Sequence, residues 1–381
     1  MKWEKVRLED CCYSISDGDH QPPPKAQQGI PFVTISNINS MNQLDFSDTM
    51  FVPKEYYQSL DEKRKVRKGD VLYSVVGSFG IPVLIKEERP FIFQRHIAIL
   101  RPKEDIVDSG FLFYTMLNRD FYAKADAVAI GVAQRTVSLG SLRNIKIDVP
   151  SLKSQKHIAD ILSAYDDLIE NNQKQIKLLE EAAQRLYKEW FVDLRFPGHE
   201  NTKIVDGVPE GWRKFPLEEI APVVTGKKDA NYGDKGGNYP FFTCSQETIT
   251  APGYSFDTSA VILAGNGDFN VKLYRGKFEA YQRTYVLAPF DHSNLFNLYF
   301  TVQDNMEALA KGASGSTIKF LTKGMLQKIL VLTADKKVLD KFNDYEENIQ
   351  QKVEALKKQV EDLTEIRNRL LPKLMSGEVE V

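Results

Sequence analysis

Cysteine is scarce in this chain. There are three in 381 residues, with Cys11 and Cys12 adjacent and Cys244 far away. Such a set forms neither a disulfide framework nor a zinc site. Long apolar runs are also missing: none approaches the roughly eighteen residues a membrane span needs, and the opening Met1-Lys2-Trp3-Glu4-Lys5 is charged, so the expected location is the cytoplasm, with no membrane partner. No GxxxxGK[ST] phosphate loop, HExxH pair or GxSxG elbow is present, and the histidines are scattered. Gly77-Ser78-Phe79-Gly80 and Gly265-Asn266-Gly267 are glycine turns without a dinucleotide fingerprint. Excess charge is lacking too. The net charge is −2, yet residues 1–150 carry 20 Lys+Arg against 19 Asp+Glu and residues 212–332 carry 13 against 11, so the acidity lies in the remaining segments. A basic face on each of those regions is permitted, not demonstrated.

What the chain does have is a copy of itself. Trp3, Leu8 and Glu9 recur as Trp212, Leu217 and Glu218, and Pro31-Phe32-Val33-Thr34-Ile35-Ser36 recurs at the same offset as Pro240-Phe241-Phe242-Thr243-Cys244-Ser245. Further on, Gln94-Arg95 answers Gln282-Arg283, Gly131 and Thr136 answer Gly312 and Thr317, and Tyr165 and Ile169 answer Tyr345 and Ile349. Constant order with a drifting offset means one duplicated unit whose loops vary in length, and each copy is far longer than a solenoid repeat. In the first copy, β-rich runs at 30–38, 69–76, 81–86, 91–100 and 144–149 predict strands, with a helix through Phe111, Leu112, Tyr114, Leu117 and Phe121. The second copy repeats that helix at Phe296, Leu298, Tyr299 and Met306. The expected fold class is mixed α+β.

From Gln155 the period changes. Ile158, Leu162, Tyr165, Ile169, Asn172, Ile176, Leu179, Ala183, Leu186 and Trp190 alternate spacings of four and three, the seam of a coiled coil. The second copy repeats it at Val338, Phe342, Tyr345 and Ile349, then through Val353, Leu356, Val360, Leu363 and Leu370, with Asn172 and Lys352 as polar interruptions. Pro197-Gly198 and Pro372 are expected to close the two helices. Helices of about 50 Å need a partner for their stripe, and the obvious partner is each other. Residues 196–211 reach about 54 Å only when fully extended, which favours an antiparallel pair over a parallel one. The expected layout is 1–150 first globular domain, 151–195 central helix, 196–211 linker, 212–332 second globular domain, and 333–381 second helix and tail.

Planar and polar side chains recur at matching places. Gln94 and Arg95 match Gln282 and Arg283; Gln134, Arg135 and Thr136 match Ser316, Thr317 and Lys319; Ser36, Asn37 and Asn39 match Ser245 and Gln246. Lys227 and Lys228 add charge. Arginine suits guanine and Gln or Asn suits adenine in the major groove. For any single residue a loop-capping or solvated role competes; the repetition of the group is the stronger signal.

Gln155-Lys156-His157-Ile158-Ala159-Asp160-Ile161-Leu162-Ser163, continuing to Tyr187-Lys188-Glu189-Trp190-Phe191, resembles the central spacer of DNA specificity subunits of type I restriction-modification systems. The ending from Arg367-Asn368-Arg369-Leu370-Leu371-Pro372-Lys373-Leu374 to Ser376-Gly377-Glu378-Val379 is similar to that family's ending. The resemblance implies two target recognition domains, each reading half of a bipartite site in double-stranded DNA, and spacer helices that act as a ruler and dock two methyltransferase subunits, with restriction/translocase subunits joining. S-adenosylmethionine, ATP and Mg would then belong to those partners, and this chain would have no cofactor and no catalytic residue. The copies are unequal in two places. Lys336-Lys337-Val338-Leu339 stands where the first spacer has Lys156-His157-Ile158-Ala159, and the segments after Gly131 and Gly312 differ. Two rivals stay open: a methyltransferase with an unrecognisable catalytic domain, and a coiled-coil scaffold whose end domains bind protein.

Overall fold

The computed structural model describes the chain except residues 1–2, 19–21, 40, 133, 314, 316–318 and 381. It divides into two units, residues 1–173 with 358–381, and residues 174–357.

In the first unit, Glu4–Arg7 pairs antiparallel with Lys146–Val149, so the start and end of the globular domain close on each other. A four-stranded antiparallel sheet runs in the order Cys12–Asp17, Ile97–Pro102, Val71–Ser74, Pro82–Leu84. Its two central strands are buried almost continuously, which is why they read as apolar runs rather than as alternating ones. A three-stranded sheet sets Ile30–Val33 between Met50–Val52 and Ile92–Phe93, the latter pair parallel. The helix Ser109–Leu117 begins where Asp108 Oδ1 accepts from Phe111 N at 3.0 Å, and it buries six consecutive residues from Phe111 to Met116. Strand Cys12–Asp17 was not expected, because its Ser and Asp residues dilute the β signal.

The second unit repeats this plan with longer arms. Arg213–Pro216 pairs antiparallel with Leu330–Thr333, as the corresponding strands do in the first unit. Phe256–Ala264 and Val271–Ala280 form a long hairpin, and Tyr239–Phe242 pairs in parallel with the end of the latter strand. Helix Leu295–Asp304 buries Leu295, Phe296, Leu298 and Phe300.

The two long helices are Leu152–Tyr187, continued as a π-turn over Lys188–Val192, and Lys336–Ser376. In the first unit Arg367 Nη1 meets Asp166 Oδ1 at 2.7 Å and Asn172 Nδ2 donates to Gln359 Oε1 at 3.2 Å. In the second, Lys357 Nζ meets Glu180 Oε1 at 3.0 Å and the Trp190 ring lies 5.8 Å from Phe342. Within each unit one residue number rises as the other falls, so the helices pair antiparallel. Ile158, Leu162, Ile169, Ala183, Val338, Phe342, Val353 and Leu356 are buried, and Tyr165, Ile176, Leu179, Leu186, Ile349, Leu363 and Leu370 are half-buried.

Several expectations about the helices change. Tyr345 is 56% exposed and Glu346 beside it takes the buried place. Lys352 is exposed and Val353 faces inward, so of the two expected polar interruptions Asn172 alone is buried. Pro372 lies inside the helix, which runs four residues further. A proline there loses a helical hydrogen bond, but Leu371, Leu374 and Met375 are buried in the first unit's core and hold the last turn in place. Segment 196–211 turns locally. Asp206 and Gly207 take left-handed conformations at the tip of a hairpin between Ile204–Val205 and Val208–Pro209, and the rings of Phe196 and Trp212 pack with centroids 4.5 Å apart, tilted by 36°. Burial pushes the thiols of Cys11 and Cys12 up, to about 11 and about 12, which leaves them inert at neutral pH.

Candidate nucleic-acid interface

Both units wire three chain segments together by backbone hydrogen bonds. In the first unit the turn at Gln94-Arg95-His96 links Ile92–Phe93 to Ile97–Pro102. Val75 N donates to His96 O at 2.8 Å, Val137 N to Val75 O at 2.9 Å, and Gly77 N to Arg135 O at 3.0 Å. The Gln-Arg turn, the Gly77 turn and segment 134–137 are therefore neighbours. In the second unit Gly265 N donates to Arg283 O at 2.9 Å and Leu321 N to Gly265 O at 2.8 Å. Gly77 and Gly267 both have φ near +70°, the left-handed conformation that favours glycine. The glycine turns thus reverse the chain beside the recurring polar residues.

The structure brings together most of the residues singled out in the sequence. Because Ile30–Val33 and Ile92–Phe93 are parallel, the chain leaves both at the same edge, with Ser36 and Asn37 just beyond one strand and Gln94 and Arg95 just beyond the other, whereas Asn39 heads a loop whose Gln43 reaches Glu170 of the long helix. In the second unit Gln282 N donates to Lys228 O at 2.9 Å, and Cys244 Sγ lies 3.6 Å from Arg283 O, so Lys227, Lys228, Ser245 and Gln246 flank the Arg283 turn. Lys319 precedes Phe320, which bridges Asn266. Ser316 and Thr317 lie outside the described residues.

Within this edge the side chains divide into two kinds. Several are built into their own loops. Asn37 Oδ1 accepts from Thr34 N at 2.9 Å and its Nδ2 donates to Asp48 O at 3.1 Å. Asn39 Oδ1 accepts from Met41 N and Gln43 N, and Ser36 Oγ pairs with Thr34 Oγ1. Arg135 Nη2 reaches Asp126 O at 2.6 Å and Asp126 Oδ1 at 3.1 Å, while Thr136 Oγ1 turns back to Gln134 O. Gln282 Nε2 donates to Asp229 Oδ1, Ser245 Oγ accepts from Glu247 N, and Lys228 Nζ sits 4.3 Å over the Tyr232 ring. By contrast, Gln94, Arg95 and Gln134 in the first unit, and Lys227, Gln246, Arg283 and Lys319 in the second, have side chains without a hydrogen bond or ion pair among the described residues. All but the half-buried Gln94 are exposed. Free guanidinium forks and amides on a braced edge can meet phosphate oxygens or base edges bidentately. Among the described residues there is no cluster of three His, Cys, Asp or Glu that could hold a metal ion.

Sequence reading missed the struts of this edge. A Cβ on Gly18 would lie 2.2 Å from Phe93 O, and one on Gly226 1.9 Å from Ala280 O, so both glycines let the backbone press against the Gln-Arg turn. Their spacing of 208 residues carries the repeat and could have revealed them. Lys272 is a second strut: its Nζ donates to Ser245 O at 2.9 Å, and partial burial lowers its pKa.

The type I restriction modification DNA specificity domain matches this chain twice, over residues 1–181 and 209–362. The EcoDI specificity subunit of Escherichia coli is 37% identical over 176 residues, 45% of this chain and 39% of that protein. The HindI specificity subunit of Haemophilus influenzae is 23% identical over 99% of both chains. The crystal structure of the type I restriction-modification S subunit from M. genitalium shares the fold, with a TM-score of 0.67 at 16% identity over 98% of this chain and 96% of that one. Among the described residues no helix is long and apolar enough to cross a membrane. With both copies covered by the family's domain, the chain belongs to the type I restriction-modification DNA specificity family.

Proposed function

We propose that this chain is the non-catalytic DNA specificity subunit of a type I restriction-modification complex in the cytoplasm. Each recognition domain, residues 1–150 and 212–332, reads one half of a bipartite, asymmetric duplex site. The helices at 151–195 and 333–381 set the separation of the halves and dock two methyltransferase subunits, to which restriction/translocase subunits add. Methyl transfer from S-adenosylmethionine and ATP-driven chemistry with Mg belong to those subunits.

One observation carries this reading: both copies of the family's domain present a Gln-Arg turn with an unpaired, exposed arginine, Arg95 or Arg283, on an edge held by equivalent backbone bonds. Exposed arginines supply phosphate or guanine contacts, and the sequence differences around them give each domain its own half-site. The test is to express the chain with its methyltransferase subunit and map methylated adenines by single-molecule sequencing. A split motif with two unlike halves is expected. Methyl transfer by the purified chain alone, or modification without a split motif, would overturn the reading.

A further inference from the structure

Beside the Arg95 turn stands a loop whose apolar tip the fold does not use. Ile130 and Thr136 pair across it through two backbone hydrogen bonds of 2.9 and 2.8 Å. Gly131 has φ +94°, and a Cβ there would fall 2.5 Å from Gln134 O, so the loop is drawn tight. Arg135 is tied to Asp126 on the helix Arg119–Ala127, and Gly77 N and Val75 O grip the loop's returning strand at Arg135 and Val137. Beneath, the Phe79 ring stacks on Tyr122 at 5.3 Å with an interplanar angle of 1°. The described residues on both sides of the tip are thus braced. At the tip Val132 is fully exposed, with no shielding from the rest of the chain, and Ile130 is 67% exposed.

Single exposed apolar residues are ordinary on protein surfaces. Here two of them flank one glycine at the end of a loop held by four backbone hydrogen bonds and an arginine strut, next to the unpaired polar side chains of Arg95 and Gln134. Val132 gains nothing from folding, and Ile130 keeps most of its surface in water. A surface that approaches a duplex gains from them by another route: a small, stiff, apolar wedge can enter between base pairs, lose its hydration there, and unstack one step while nearby cations hold the phosphates.

The geometry points to Val132 as a wedge that inserts into the first half-site and unstacks one base step, with Arg135 serving as the strut that keeps the loop rigid rather than as a base reader. The inference rests on the proposal that the first domain binds duplex DNA. It adds a source of specificity that needs no hydrogen bond to a base, since pyrimidine–purine steps unstack more easily than others.

The experiment uses the full chain in complex with its methyltransferase subunits and duplexes of the mapped sequence with 2-aminopurine placed at successive positions of the first half-site. Complex formation should raise the emission at one step other than the methylated adenine. Val132→Ser should abolish that rise and weaken binding roughly tenfold, equivalent to about 1.4 kcal/mol, whereas Val132→Leu should keep both. Emission at the methylated adenine itself should persist in all three proteins. Emission that stays unchanged in Val132→Ser, or no rise away from the methylated adenine in the wild type, overturns the wedge while leaving duplex recognition standing. Absence of wild-type DNA binding overturns the functional reading itself, and the wedge with it.

Discussion

Gly18 and Gly226 occupy the same place in the two units, each with backbone carbonyl oxygens of the adjoining turn where a side chain would begin: Phe93 O at 2.2 Å and Ala280 O at 1.9 Å from an added Cβ. Neither has the left-handed φ that usually explains a glycine. Close approach alone requires them. Replacing either by alanine must push the Gln-Arg turn outward. Gly18→Ala and Gly226→Ala should each cost about 1–3 kcal/mol of stability, the range for overpacking, and each should weaken discrimination in one half-site only. Thermal unfolding with half-site competition binding checks this, and an alanine protein with unchanged melting would remove the strut argument.

The two turns also predict how the arginines act. Arg95→Ala and Arg283→Ala should each relax one base position at about 1–3 kcal/mol if the fork reads guanine, or weaken all sequences and lower the salt slope by about 0.9 if it holds a phosphate. Salt titrations of affinity on cognate and substituted duplexes separate the two. No change in affinity, preference or slope would make both residues structural.

Glu346 predicts a pH dependence. Its carboxyl is buried, and neither oxygen has a hydrogen-bond partner among the described residues. Burial raises its pKa to about 8 from 4.5. A carboxyl raised in the folded state is protonated in both states at low pH and ionises first in the unfolded chain. Stability is therefore full below about pH 4.5 and is lost as pH rises toward about 8. Glu346→Gln should stabilise the second unit at pH 8 by a few kcal/mol, on the order expected for such a shift, and should flatten this slope. Denaturant midpoints from pH 5 to 9 measure it; parallel curves for the two proteins would refute it.

Much of this architecture was legible in the sequence, for a physical reason. Leu8 and Leu217 are wholly buried and Trp212 nearly so, and core positions keep their identity through duplication. The helical seam was legible because a stripe buried along a helix must recur every three or four residues. Tyr345 and Glu346 broke the reading, since the pattern favours the aromatic residue and cannot show that the helix presents its neighbour to the core. Pro372 misled because burial of Leu371 and Leu374 outweighs a local helix breaker. At the candidate site, residue types were legible but their engagement was not. Arg95 and Arg135 look alike in the chain, yet one is unpaired and the other is bound to Asp126.

The paired helices make a quantitative prediction about the ruler. Glu180 meets Lys357 and Trp190 meets Phe342, so the stretch from Leu179 to Leu186 lies against that from Ile349 to Leu356. One heptad inserted in both stretches preserves the seam and adds about 10 Å at 1.5 Å per residue. At roughly 3.4 Å per base pair the unread spacer should lengthen by up to about three base pairs. Methylation mapping of this double insertion, in a complex that still assembles, reads the spacer directly. An unchanged spacer would mean that separation is set elsewhere.

The central claim is that each copy reads its own half of the site. The most direct measurement is the methylated-adenine map after residues 212–332 are exchanged for another family member's second domain. The exchange should retain Trp212, Phe296 and Phe300, which share a core with Trp190 and Phe342 of the helices. The account predicts that one half of the methylated motif changes while the other half and the spacer stay as they were. A motif altered in both halves, or in neither, would contradict it.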